Sequence, residues 1–313
     1  MQVDLNPGQL DALVAIADHG SFDAAARQLH ITPSAVSQRI RALEATAGQV
    51  LISRAAPCRP TPHGASLVRL GRQTRLLYAE ASQAITAATA VDLPVAVNAD
   101  SLAVWFHDVL AEVAAWDGTA IKLRVEDQAY SQELLRRGDV LAAVTSDPAA
   151  VQGCSVHPLG ALRYLPAASP AVADRWQLKG EGPGGTGGGS PPCGEAAGAR
   201  SPDWAAMPVM VFNDKDDLQH ELLRRHGIEH GPAVVHQVPS SADFYAAIRA
   251  GLGWGMLPEP QARVDLAAGA LVRLSGDAID VPLYWQRWRL DSPKLAALTT
   301  AVRTAAARHL QPG

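Results

Sequence analysis

A chain of 313 residues is too long for one small core and suits two or three domains. With 48% hydrophobic and 19% charged residues, its composition is that of an ordinary soluble globular protein. The net charge of −4 advertises no polyanion partner, but positions 1–90 carry eight arginines and no lysine against six acidic residues, a local +2 that leaves −6 for the remainder. Arginine suits bidentate phosphate and guanine contacts, although codon preference produces the same bias. Cys58, Cys154 and Cys193 are far apart, odd in number and without a CxxC, so neither a zinc site nor a disulfide framework is expected and a reducing compartment is. "MQVDLNPGQL" has no basic or apolar signal region, and no run approaches the roughly 18 apolar residues of a membrane span, so the expected location is cytoplasmic, with no membrane partner.

The first sixty residues read as three helices and a hairpin. Asn6 caps and Pro7 opens "NPGQLDALVAIADHG", with Leu10, Leu13, Val14 and Ala17 on one face and Gly20 as the stop. Ser21 caps "SFDAAARQLH", which turns Phe22, Ala25 and Leu29 inward. Thr32 and Pro33 open a third helix whose inward stripe is Val36, Ile40 and Leu43. "QVLISRAAPCRPTPHG" then reads as a short strand, a tip with Pro and two Arg, and a return limb, which is a wing.

A long helix is expected from about residue 65 to 90. Leu67, Leu70, Thr74, Leu77, Ala81 and Ala84 step by threes and fours like an a/d seam, and Arg69, Arg72 and Arg75 take the outer face. It reads either as a core-packed helix or as a dimerising linker. Beyond it, strands at 93–98, 121–126, 141–145, 163–168, 209–212, 233–238, 254–257, 271–274 and 283–288 alternate with helices such as 104–116, 132–137 and 243–250. That alternation predicts a parallel α/β sheet in two small subdomains with a cleft, ligands binding at the carboxyl ends of the strands. "KGEGPGGTGGGSPPCGEAAGARSPD", residues 179–203, reads as a disordered surface loop; it lacks the Gly-Lys-Ser/Thr ending of a phosphate loop.

Two helices joined by a tight turn, the second opened by Thr-Pro, make a helix-turn-helix. With Val36, Ile40 and Leu43 turned inward, Ser34, Ser37, Gln38 and Arg41 share the outer face. Gln reads adenine and Arg reads guanine bidentately, while hydroxyls at a helix N-terminus hold phosphate. A merely solvated face would favour Glu and Lys, yet Glu44 is the only acidic residue between Asp23 and Glu80. The expected partner is double-stranded promoter DNA, and the DNA-binding set is Ser21, Thr32, Pro33, Ser34, Ser37, Gln38, Arg39, Arg41, Arg54, Arg59 and Thr61.

The stretch from Ser21 to Gly64 resembles the signature of LysR-type transcriptional regulators, matching at Ser21, Ala25, Ala26, Leu29, Ser34, Val36, Ser37, Ile40, Leu43, Glu44, Gly48, Leu51 and Arg54. The resemblance implies a fold of three parts: a winged helix-turn-helix (1–62), a long linker and dimerisation helix (63–91), and a periplasmic-binding-protein-like effector module of two α/β subdomains (92–313). It also implies a homodimer that pairs again into a dimer of dimers, with RNA polymerase among its partners. "VNADSLAVWF", "VEDQ", "RRGDVLAAVT", "HPLGALRYLPAAS", "AGLGWGMLP" and "VPLYWQRW" are similar to the lysine/arginine-export regulators, the ArgP and LysG branch. That branch senses basic amino acids and switches on an adjacent exporter gene, with no cofactor beyond the effector. Residues 179–203 depart from it as an insertion.

A free lysine or arginine presents a carboxylate, an α-ammonium and a distal cation. Hydroxyls and helix N-terminal amides suit the first, carboxylates the other two. Such residues recur at strand ends: Asp100 and Ser101, then Glu126 and Asp127, then Thr145, Ser146 and Asp147, then Ser240, Ser241 and Asp243. Trp105 and Trp254 are apolar walls or core residues, and Asp147 and Asp243 read equally as helix caps; Trp105 joins the acids and hydroxyls in the expected ligand set. His107, His157, His220, His226, His230 and His236 form no HExxH or GxSxG partnership, and Gly227 breaks the helix that a metal pair in "HGIEHG" would need. An enzyme and an amino-acid transport module are the rivals from other classes; the first lacks a nucleophile–base or cofactor motif, the second has no place for the helix-turn-helix. The rival within the family is a regulator of another metabolic gene with a different small-molecule ligand.

Overall fold

The computed structural model describes residues 5–86, 90–126, 128–176 and 202–312. Asp127, Cys193 and the Gly-rich stretch up to residue 201 lie outside the described residues. Chain order begins α1 (Pro7–His19), α2 (Phe22–Gln28), α3 (Pro33–Ala47), β1 (Ile52–Ser53), β2 (Arg59–Pro60) and α4 (Pro62–Thr86). It continues β3 (Val91–Val97), α5 (Ala99–Val104), α6 (Phe106–Val113), β4 (Thr119–Val125), α7 (Gln128–Arg137), β5 (Ala142–Thr145), β6 (Cys154–Ala168) and α8 (Pro170–Arg175). It ends β7 (Val209–Val211), α9 (Leu218–Arg225), β8 (Val235–Gln237), α10 (Ser241–Arg249), β9 (Gly255–Pro258), α11 (Glu259–Ala267), β10 (Val272–Arg273), β11 (Ile279–Trp288) and α12 (Pro293–His309). Contacts divide the chain into two compact units. Unit 1 holds Met1–Asn98, Phe106–Leu159 and Leu283–Ala306; unit 2 holds Ala99–Trp105, Gly160–Pro282 and Ala307–Gly313.

In unit 1 the head forms as its caps dictate. The Asn6 Oδ1 accepts the Gly8 N–H at 2.8 Å, Pro7 sets the first turn, and Gly20 ends α1 in the left-handed region at φ 71°. Ser21 and Thr32 accept the Ala24 and Ala35 N–H groups at 3.2 Å and open α2 and α3. Leu10, Leu13, Val14, Ile16, Ala25, Val36, Ile40 and Leu43 close one core with Leu51 and Ile52 of the wing and Val68 of α4. The wing is a two-residue antiparallel ladder, Ile52 opposite Pro60 and Ser53 opposite Arg59. Glu44, a residue with no assigned task in the sequence, fixes it: one carboxylate oxygen accepts the Leu51 N–H at 2.9 Å and the Ile52 N–H at 3.4 Å.

Helix α4 inverts one expectation. Its buried residues are Gly64, Val68, Gly71 and Leu76, and the arginine face is the docked one. Arg72 ion-pairs with Asp18 of α1 and, at 2.6 Å, with Asp139; it also donates to the Arg137 carbonyl at 2.8 Å. Arg75 pairs with Asp11 at 2.7 Å, and Arg69 lies 5.0 Å from the Trp288 ring centre. A Cβ on Gly71 would stand 2.7 Å from a Val14 methyl, so glycine there lets α4 meet α1. Of the seam, Leu67 packs on the head core and Thr74 is half-buried, but Leu70, Leu77, Ala81 and Ala84 are exposed, with Tyr78 and Ile85 beside them.

The unit 1 sheet runs β11, β5, β3, β4, with β3 parallel to both β4 and β5 but β11 antiparallel to β5. In unit 2, β9 and β10 pair antiparallel with β6, and β7 pairs parallel with β8. The all-parallel sheet expected from strand–helix alternation is therefore corrected to a mixed one. Parallelism holds only where a helix intervenes, as between β3, β4 and β5; β6 and β11 run against their neighbours. The unit 1 core is Ala96, Leu134, Leu135, Val140, Ala143 and Trp288; the unit 2 core is Met210, Phe244, Ile248, Leu257 and Leu271.

Arg72→Ala leaves Asp139, 7% exposed at its side chain, with Arg137 as its remaining cation at 3.1 Å. The expected loss of stability is about 2 kcal/mol, read as a lower Tm of the full chain. Arg72→Lys restores the charge but not the fork and recovers only part; a melt unchanged in both variants would remove the junction.

Candidate nucleic-acid interface and effector site

Helix α3 presents its polar residues in two groups. Ser34, Gln38 and Arg41 are exposed, and Ser37 is half-buried between them. Thr32 is committed to capping, and its hydroxyl lies 2.9 Å from Ser34 Oγ. Pro33 occupies the first helical position. Arg39 is half-buried and donates to the Gly8 carbonyl at 3.4 Å, toward α1. Ser21 caps α2, and Thr61 both donates to the Val50 carbonyl at 2.8 Å and accepts the Gly64 N–H at 3.1 Å. Arg54 and Arg59 are exposed on the wing, with the Arg54 guanidinium 5.6 Å from the Phe22 ring centre. Of the eleven expected DNA residues, Ser34, Gln38, Arg41, Arg54 and Arg59 thus offer exposed side chains uncommitted to a cap, while Ser21, Thr32 and Thr61 hold helix starts.

In unit 2 a carboxylate cluster forms around Asp100. One Asp100 oxygen accepts the Tyr164 hydroxyl at 2.7 Å and the other accepts Ser241 Oγ at 2.8 Å. Burial, and then the neighbouring Asp100 charge, push the Tyr164 phenol well above its ordinary value, so it stays an O–H donor. Burial first of all raises the Asp216 carboxyl, against hydrogen bonds from the Phe212 N–H at 2.8 Å, the Leu218 N–H and the Gln219 side chain. The Asp100 charge also bears on Asp216, as the smallest of the influences on its carboxyl. Ser101 Oγ, beside Asp100 in the chain, and Gln219 Oε1, three residues after Asp216, are buried without a partner among the described residues.

The other expected ligand residues have various fates. Trp105 and Trp254 are fully buried, and Trp254 meets Trp204 edge-on at 4.7 Å. Ser240 caps α10 by accepting the Asp243 N–H at 3.4 Å, and Asp243 is exposed. In unit 1, Thr145 is buried and accepts the Asp147 N–H at 3.1 Å. Asp147 is exposed and turns the chain by accepting the Ala149 N–H at 2.8 Å. Gln286, buried beneath, donates to the Asp147 and Ala149 carbonyls at 3.1 and 2.8 Å and holds this loop. Ser146 and Glu126 are half-buried. Tyr164 and Asp216 are the two members that the sequence reading passed over: Tyr164 sits in an apolar strand, and Asp216 in the acidic run "NDKDD". The usable signal for Asp216 was its place just after strand β7, the rule that selected Asp100.

Outside this cluster, His226 caps α9, lies 2.8 Å from Asp277 and stacks on Trp204 with ring centres 5.1 Å apart. Among the described residues no three His, Cys, Asp or Glu are placed to hold a metal ion, and no helix is long and apolar enough to cross a membrane.

Residues 7–65 match the bacterial regulatory helix-turn-helix model of the LysR family, and residues 93–307 match the LysR substrate-binding domain. The lysine export transcriptional regulatory protein LysG of Corynebacterium glutamicum is 46% identical over 312 residues, covering 98% of this chain and all of that one. Full-length LysG from that organism with bound effector Arg superposes with a TM-score of 0.79 at 44% identity over 98% of this chain and all of that one. ArgP from Mycobacterium tuberculosis superposes with a TM-score of 0.83 at 43% identity over 99% of this chain and all of that one.

The exposed residues of α3 carry the next expectation. Gln38→Ala should relax base preference at one operator position by about 1–3 kcal/mol, and Arg41→Ala should do so while lowering the salt slope of binding by about 1 if a phosphate contact is lost as well. Both proteins should melt like the parent. Operator footprints and salt titrations unchanged in both variants would show that another face reads the DNA.

Proposed function

Because the chain belongs to the LysR family of bacterial helix-turn-helix regulators, we propose that it reads promoter DNA through α3 and the wing and senses a basic amino acid, lysine or arginine. In this reading it acts in the cytoplasm, where the DNA is, and activates an adjacent amino-acid exporter gene, with RNA polymerase as the recruited partner. The near-complete identity span with LysG and the arginine named in that protein's structure support the choice of effector. The exposed Leu70, Leu77, Tyr78 and Ile85 on α4 support a homodimer built on that helix, and a dimer of dimers beyond it.

The observation that carries the effector reading is the Asp100–Asp216 pair. Two carboxylates that repel in a half-buried setting are satisfied best by a cation with several donors. The Asp100 oxygens each keep lone pairs beyond the hydroxyls that orient them, and the partnerless Ser101 Oγ and Gln219 Oε1 supply further polar contacts beside the two acids. The α-ammonium of any amino acid can answer one of the two acids; only lysine or arginine brings a second, distal cation for the other.

The test is calorimetric titration of the full-length protein with lysine, arginine, leucine and glutamate. Lysine or arginine should bind. Asp100→Asn should weaken that binding at least tenfold, about 1.4 kcal/mol, whereas Tyr164→Phe, which keeps the charge, should weaken it less. Heat only with leucine or glutamate would favour a regulator of another metabolic gene. Unaltered lysine and arginine titrations in Asp100→Asn would place the effector elsewhere.

A further inference from the structure

Strand alternation puts three polar side chains of unit 1 on one side of its sheet, and α12 adds a fourth. Cys154 packs with Trp288 on the side of the sheet core that holds Leu134 and Leu135 of α7. Ser155 and His157, one and three positions on along β6, take the opposite side, and so does Arg287, one before Trp288 on β11. Strands β6 and β11 are neighbours in the sheet. Trp285 shares the face of Arg287 and donates its Nε1–H to Thr299 Oγ1 of α12 at 3.1 Å. Arg303 follows Thr299 by one helical turn, so it overlies the same strip. The grouping has an electrostatic trace: burial, then Arg303, then Arg287 hold the His157 imidazole below its ordinary value, and both charges acting on it are positive.

Two of these residues have buried polar atoms that nothing among the described residues satisfies. Arg287 Nε and Nη1 have no acceptor, and Ser155 Oγ has no partner. A guanidinium cannot escape by losing its proton, and it has donors only, so burying two of its nitrogens is costly until an acceptor arrives. From this convergence we infer that Ser155, His157, Arg287 and Arg303 form a second binding site, for a small oxyanion of the phosphate or sulfate kind. The arginine forks meet oxyanion edges, the Ser155 hydroxyl donates to a further oxygen, and the imidazole supplies an N–H. None of the four belongs to the effector set. Arg287 pairs with Ala142 at the start of β5, three residues and roughly 10 Å from Thr145 at its end.

The experiment titrates the full-length protein with inorganic phosphate and, separately, with sodium sulfate at ionic strength held constant with sodium chloride. Readouts are the His157 ring resonances and Tm. Saturable movement of the His157 signals and a higher Tm are expected with phosphate or sulfate but not chloride. Arg287→Gln should abolish both, Arg303→Ala, on an exposed helix position, should weaken binding roughly tenfold, and both variants should keep the parental response to lysine or arginine. The inference is overturned if chloride does as much, or if both variants respond like the parent. It is equally overturned if phosphate changes only the oligomeric mass with the His157 signals still, since the acceptor would then be a carboxylate of a second copy.

Discussion

The Arg72 guanidinium is the point on which unit 1 turns. It stands between Asp18 of the head, Asp139 and the Arg137 carbonyl. A single exposed ion pair is worth less than about 1 kcal/mol and would orient nothing. This one is shared among three acceptors, its own side chain is 17% exposed, and Asp139 is 7% exposed. A planar fork in that setting fixes direction as well as distance. Gly71 lets α4 close on Val14, and Gly138, at φ 69°, leaves room for Arg69. The head and the first sheet are thus held by geometry that only small and forked residues at these positions permit.

The polar residues of the head divide their labour by backbone need. Asn6, Ser21, Thr32 and Thr61 sit at helix starts, where unpaired N–H groups must find acceptors, and their side chains supply them. Glu44 does the same for the first residues of the wing. What is left over is short: Ser34, Gln38 and Arg41 on α3, flanked by Arg54 and Arg59 on the wing. If these residues read the DNA as proposed, base preference can vary there without cost to stability.

The strands and the three head helices were legible because their signals are local. Val36, Ile40 and Leu43 mark a helical stripe, and runs such as "LAAV" mark buried strands, whatever packs on them. What the sequence hid is tertiary. The direction of β6 and β11 depends on connections that alternation does not encode, so a parallel sheet was expected. Arg69, Arg72 and Arg75 looked like a solvated face because their acceptors lie more than fifty residues away, at Asp11, Asp18 and the carbonyls of Arg136 and Arg137. Tyr164 reads as one more large strand residue until its hydroxyl is seen on Asp100. The helix expected over 104–116 is the shorter α6, Phe106–Val113, and α5, Ala99–Val104, precedes it where the sequence reading placed no helix.

Read as the proposed effector site, the Asp100 cluster suits a switch. A ligand moves an equilibrium only by its difference in affinity for the two states. Burial raises the Asp216 carboxyl first of all, and the Asp100 charge adds to it, so each carboxylate disfavours the other's charge. Any arrangement that separates them is favoured without a cation and disfavoured with one. The Tyr164 and Ser241 hydroxyls oppose that separation by orienting Asp100 from both of its oxygens. In that proposed reading, a neutral residue at position 100 removes the charge that answers the effector cation while leaving the head untouched.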